Sequence, residues 1–177
     1  MKQLFYFCLL VICPGFLFSP LHLKSQVKAT PENIMASFIY NFTNYLSWSS
    51  DDLGEDFEIV VLGESTLLEP LKYIGNTKKV TEKTINVVHV QGVSELKPCH
   101  ILVVGEDFTK TLSELYANTL LKNAIIITYC NGCLQKGASI NFVTESERLR
   151  FEINKTTLDS KSIKASSQLL KLAIKVI

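Results

Sequence analysis

An α/β domain built on a largely parallel sheet is the fold class this sequence predicts, on three observations. The short apolar runs Phe57 to Leu62, Cys99 to Val104 and Ala124 to Tyr129 have the length and character of strands covered on both faces. Two of them stop at a glycine, Gly63 and Gly105. Segments with apolar residues at helical spacing lie between and around the runs, the alternation expected of β-α-β units.

The first residues precede that domain. Lys2 gives a positive start, Leu4 to Phe18 is almost wholly apolar, and His22, Lys24, Ser25 and Gln26 return to polar residues. This is the layout of a cleaved secretory signal peptide over 1–25, with 26–177 as the exported domain. The run is broken by Pro14-Gly15 and is shorter than the ~20 residues of a spanning helix. Ile12 before Cys13 does not suit a lipid-attachment site.

Thr30-Pro31-Glu32 combines an N-cap, a first-turn proline and a first-turn acid. Behind it Ile34, Met35, Phe38, Ile39, Phe42 and Leu46 predict an amphipathic helix to about Leu46, closed by Trp48 before an acidic loop over 51–56. After the Phe57 to Leu62 strand, Leu67 to Ile74 predicts a short helix with Pro70 near its start, stopped at Gly75. Thr84 to Val90 is a second strand, Val93 to Leu96 one helical turn, and Cys99 to Val104 a third strand. Thr109 to Leu120 places Leu112, Leu115, Tyr116 and Leu120 on one helix face, and Ala124 to Tyr129 is a fourth strand.

Ser139 to Val143 and Arg148 to Ile153 are two further strands about a turn at 144–147. They break the alternation and predict an antiparallel hairpin at the sheet edge. In the second, Arg148, Arg150 and Glu152 alternate with Leu149, Phe151 and Ile153, so one face is wet. The chain then finishes in a helix after Ser166-Ser167, with Leu169, Leu170, Leu172 and Ala173 as its apolar side. Nothing resembles a linker or a repeat, so a single domain is expected.

Composition excludes several function classes. Loss of Lys2 and Lys24 with the leader takes the formal charge from +1 to −1, too little field to steer nucleic acid or an anionic membrane surface. His89 and His100 are isolated, with no metal-ligand spacing around them. Gly63-Glu64-Ser65-Thr66 lacks the repeated glycines and the lysine of a phosphate loop. Ser94-Glu95-Leu96-Lys97 matches an acyl-enzyme pattern too short to carry weight, and no companion motif follows it. Asp51-Asp52 and Glu106-Asp107 read as solvated turn acids. No enzyme signature and no cofactor emerge.

Three cysteines remain after cleavage: Cys99, Cys130 and Cys133. An odd number in an oxidising compartment implies one bridge with a free thiol, or a link to another chain in a homodimer. Cys130-Asn131-Gly132-Cys133 has redox-motif spacing, yet Asn-Gly is a tight-turn pair and a strand follows instead of a helix. If the strands at 99–104 and 124–129 are parallel, Cys99 and Cys130 lie on the order of 16 Å apart at opposite strand ends, beyond disulfide reach. A local Cys130–Cys133 bridge is the expectation, with a thiol-redox centre as the alternative.

Several segments together resemble the YfiR family of exported bacterial proteins. They are Val27-Lys28-Ala29 through Phe38-Ile39-Tyr40-Asn41-Phe42 to Trp48, then Ile59-Val60-Val61-Leu62-Gly63, then Cys99-His100-Ile101-Leu102-Val103-Val104. The C-terminal match runs through 137–143, Arg148-Leu149-Arg150-Phe151-Glu152-Ile153-Asn154, and 166–173. The resemblance implies a periplasmic, non-catalytic regulator. Such a protein represses an inner-membrane diguanylate cyclase by binding its periplasmic sensor region, and a sensor histidine kinase is the alternative partner. It also implies that disulfides can influence this control.

Two surfaces are candidates. Arg148, Arg150 and Glu152, with Tyr40 and Trp48 as an aromatic complement, would meet a protein partner. The reading of the same face as an edge strand protected by charge stays open. A small-ligand module would instead use the carboxyl ends of parallel strands, at Gly63, Glu64, Ser65 and Thr66 with Gly105, Glu106, Asp107 and Thr109.

Overall fold

In the computed structural model, residues 30–48 and 54–177 are described; the predicted leader and Asp51-Asp52 lie outside them. Helix α1 (Pro31–Phe42) begins at its predicted cap, where Thr30 Oγ1 accepts from the Asn33 N–H at 3.3 Å. It ends earlier than the apolar spacing suggests. The N–H groups of Thr43, Asn44 and Tyr45 turn back onto Tyr40, Asn41 and Phe42 carbonyls. Leu46–Trp48 then forms strand β1, paired antiparallel with a distant segment, Ile163–Ala165.

Strand β2 (Phe57–Leu62) has the predicted bounds. Helix α2 (Leu68–Thr77) runs through Gly75, the residue at which the sequence predicts its stop. A β-carbon there would lie 3.1 Å from the Ile85 carbonyl oxygen and 3.3 Å from Val87 Cγ2. The glycine therefore lets the helix lie close on the strand beneath it, at the usual entropic cost of glycine in a helix. Lys79–Val80 (β3) and Lys83–Val90 (β4) form a small antiparallel hairpin, followed by a 3₁₀ turn over Val93–Glu95 and strand β5 (Ile101–Val104).

The helix expected over 109–120 is broken into pieces. Only Leu112–Ala117 (α3) is α-helical, between 3₁₀ turns over Glu106–Thr111 and Thr119–Leu121. Local side chains compete with the helix ladder. Thr109 and Thr111 hydroxyls donate to the Glu106 and Phe108 carbonyls, and Asn118 Oδ1 accepts from the Leu120 N–H.

Strand β6 (Ile125–Tyr129) leads through the cysteine turn to β7 (Ile140–Glu145) and β8 (Arg148–Ile153). The last two form the predicted antiparallel hairpin, with Ser146 and Glu147 at positive φ in its two-residue turn. Three elements come next that the sequence does not signal. Helix α4 (Lys155–Ser160) is capped by Asn154, and strand β9 (Ile163–Ala165) is the partner of β1. After helix α5 (Ser167–Leu172), capped by Ser166, strand β10 (Lys175–Val176) lies parallel to β8. The chain thus finishes in a strand, and Leu172, expected on the apolar side, is 57% exposed. The hairpin is not outermost either, because β10 covers β8 at Glu152 and Ile153.

The main sheet has the order β10-β8-β7-β6-β5-β2-β4-β3, parallel from β4 to β7. One face packs against α1 and α2, where the Phe42 ring meets those of Phe151 and Phe142 at 4.9 and 5.9 Å. The other carries α3, whose Leu112 and Leu115 join Leu102 and Ile126 in a second core. Mixed α/β architecture with a mostly parallel central sheet is what the apolar runs required.

Candidate functional site

At the carboxyl ends of β2, β5 and β6 lies a cavity of about 170 Å³. Five of the predicted pocket residues line it: Glu64, Ser65 and Thr66 from the loop after β2, and Gly105 and Glu106 from the loop after β5. Gly63 stands beneath this rim at φ +74°, a conformation suited to glycine. A β-carbon on Gly63 would collide with the Asp107 carboxylate and the Phe108 ring. One on Gly105 would lie 2.7 Å from Asp107 Oδ1 and 2.8 Å from the Leu62 carbonyl oxygen. The two glycines therefore bring the loops together around Asp107. Asp107 and Thr109 do not line the cavity; the Thr109 hydroxyl is spent on the Glu106 carbonyl at 2.8 Å.

The rest of the wall carries no sequence signal. Met35 comes from α1, Thr128 and Tyr129 from β6, and Phe142 from β7. Only the helix-on-sheet packing brings them together.

The register places Arg148, Arg150 and Glu152 on the sheet face that also carries Asn141 and Thr128. Both arginines are exposed and Glu152 is half-buried. Beneath them runs a row of hydrogen bonds across three strands. Thr128 Oγ1 donates to Asn141 Oδ1 at 2.8 Å, and Asn141 Nδ2 donates to Glu152 Oε2 at 3.2 Å. Asn141 also binds both backbone groups of Cys130, accepting from its N–H at 3.2 Å and donating to its carbonyl at 3.0 Å. One buried amide thus ties the cysteine turn to the arginine face. Sequence offers no signal for it beyond an asparagine in an otherwise apolar strand.

Cys130 and Cys133 stand as a disulfide pair with Cα atoms 5.7 Å apart, and Cys99 is a free, buried thiol. Cys133 is buried, and the next element is a 3₁₀ turn over Leu134–Lys136. A redox-active cysteine gains its acidity from a helix N-terminus or a neighbouring cation, and no α-helix starts at this turn.

Tyr40 and Trp48 do not share the arginine face. The Tyr40 hydroxyl donates to the Lys79 carbonyl at 3.2 Å, in β3 at the opposite end of the sheet. Six strand spacings separate β3 from β8, roughly 29 Å at ~4.8 Å each. Trp48 Nε1 donates to the Asn123 carbonyl at 3.0 Å, and its ring meets Phe57 and His100 edge-on. Both aromatics are half-buried and engaged within the fold.

His100 is buried, with Nδ1 accepting from the Glu58 N–H at 2.9 Å and its ring stacked on Phe57. His89 Nε2 lies 3.0 Å from the Gly63 carbonyl oxygen. Among the described residues no group of three His, Cys, Asp or Glu side chains could hold a metal ion, and no helix is long and apolar enough to cross a membrane.

The model of the YfiR/HmsC-like family matches residues 32–174, and the chain belongs to that family. No curated protein matches it. The matched span takes in both the strand-end cavity and the arginine face.

Proposed function

We propose that this chain is a non-enzymatic periplasmic regulator. It binds the periplasmic sensor region of an inner-membrane signalling protein, a diguanylate cyclase or a sensor histidine kinase, and holds it in its inactive state. Family membership and the leader-like first 25 residues support the compartment and the class. The observation that carries the contact surface is the face of β7 and β8. Arg148 and Arg150 project there from a strand whose Glu152 is held from below through Asn141. Binding one state of a membrane sensor shifts that sensor's population, which is all that repression needs.

The same framework gives the proposed redox response a route. Reduction of Cys130–Cys133 would loosen the turn whose backbone Asn141 grips, and so loosen the support of Glu152. Tyr40 and Trp48 have no part in this surface.

The test is crosslinking of the exported protein in its own cells, with mass spectrometry to identify the captured species. Recovery of a diguanylate cyclase or sensor kinase with a periplasmic domain is expected, and the double variant Arg148→Glu/Arg150→Glu should lose it while remaining folded. A folded, exported protein that captures no membrane sensor would sink the reading.

A further inference from the structure

The strand-end cavity carries an inference about ligand chemistry that is independent of any protein partner. Its floor is apolar, built by Met35, Val103, Ile127 and Phe142, with the Tyr129 ring at its side. Its polar groups are biased toward accepting. Glu64 and Glu106 bring carboxylates, and among the described residues no lysine, arginine or histidine lines the space. Ser65 and Thr66 at the rim can accept as well as donate.

The adjoining loop junction repels anions in addition. Where backbone N–H groups at strand ends often receive phosphate or carboxylate ligands, the Asp107 carboxylate packs against Gly63 and Gly105. An anionic ligand would approach three carboxylates, with no compensating base among the described lining residues. Size narrows the class further. A cavity of about 150 Å³ accommodates benzene, so 170 Å³ holds one ring or a branched aliphatic group and little more.

We propose that this cavity binds a small organic cation: a protonated primary amine on a short linker, carrying a single ring or branched apolar group. The apolar part sits on Met35, Ile127 and Phe142. The ammonium lies at the mouth between Glu64 and Glu106. Both glutamates are exposed, so their attraction is screened by salt, and they select charge sign more than they add affinity.

Tyramine, phenethylamine and isoamylamine are the probes, with 4-hydroxyphenylacetate and 4-ethylphenol as anionic and neutral counterparts of tyramine. NMR titration of methyl and aromatic resonances at low salt reads both site and affinity. Shifts at Met35, Ile127 and Phe142 are expected with at least one amine. That amine should bind about tenfold or more tighter than its anionic counterpart, the range two partly screened charge contacts can supply. Glu64→Gln/Glu106→Gln alters only exposed side chains and should abolish the preference while leaving the spectrum of the free protein intact. No cavity shifts with any of the three amines would overturn the proposal. So would equal binding of the anion or the neutral phenol, or a preference that survives the double substitution. These readouts need no membrane sensor, so they stand or fall apart from the repressor reading.

Discussion

Lys161 is 5% exposed, with its ammonium donating to the Leu121 carbonyl at 2.6 Å and lying 5.5 Å above the centre of the Tyr116 ring. Burial lowers its pKa from 10.5 to about 8, against an opposing pull from Cys99. The unfolded chain therefore holds this proton more tightly, and stability contributed by the site rises with pH between about 8 and 10.5. Cys99 acts in the opposite sense. Burial, and after it the Glu58 charge, pushes its thiol from 9.0 to about 12, and Lys161 pulls it back only in part. The unfolded chain loses that proton first, so this contribution falls as pH rises from about 9 toward 12. Denaturant unfolding from pH 7.5 to 11 should show Lys161→Met lacking the rise that the parent protein has between 8 and 10. Cys99→Ala should lack part of the fall above 9. Identical pH profiles for parent and both variants would refute this assignment.

The glycines separate two kinds of constraint at the scale of the loops and elements. Gly105 has an ordinary negative φ, but its position is crowded by backbone and by Asp107. Gly105→Ala should therefore force the β2 and β5 loops apart, at a cost of about 1–3 kcal/mol, with changed resonances around Glu64 and Glu106. Gly132 is the reverse: φ is +69° and nothing lies within 4 Å of a β-carbon. Gly132→Ala should cost only the left-handed backbone penalty, about 1–2 kcal/mol, and leave the cavity untouched. Equilibrium unfolding alongside NMR distinguishes the two, and similar spectral changes in both would contradict the contact argument. Opening Cys130–Cys133 should lower stability by on the order of 2 kcal/mol, the value for so short a loop, and should shift the Glu152 resonances through Asn141. A shift confined to 130–133 would break the proposed relay.

Across the whole molecule, an element is legible in the sequence when its stability originates locally. Strands β2, β5 and β6 can be read directly because each is buried on both faces and must be apolar throughout. The hairpin of β7 and β8 shows in its alternation. Strands β1, β9 and β10 are two or three residues long and exist only through partners far along the chain, so no local pattern marks them. Five of the eight residues expected at the strand-end pocket do line the cavity, since parallel strands end at one edge. Met35, Thr128 and Phe142 could not be foreseen, because their part depends on strand order and on how α1 crosses the sheet.

The pairing of Leu46–Trp48 with Ile163–Ala165 also has a kinetic consequence. That ladder joins the first third of the domain to its last residues, so it cannot form until the intervening chain has nearly all found its place. The parallel strands between impose the same delay, each needing a crossover before it pairs. Long-range pairing of this kind slows folding. During that interval the strands of greatest apolar content, Ile125 to Ile127 among them, remain open to contacts with other chains. Newly made copies thus face a race between self-association and closure of the β1–β9 ladder.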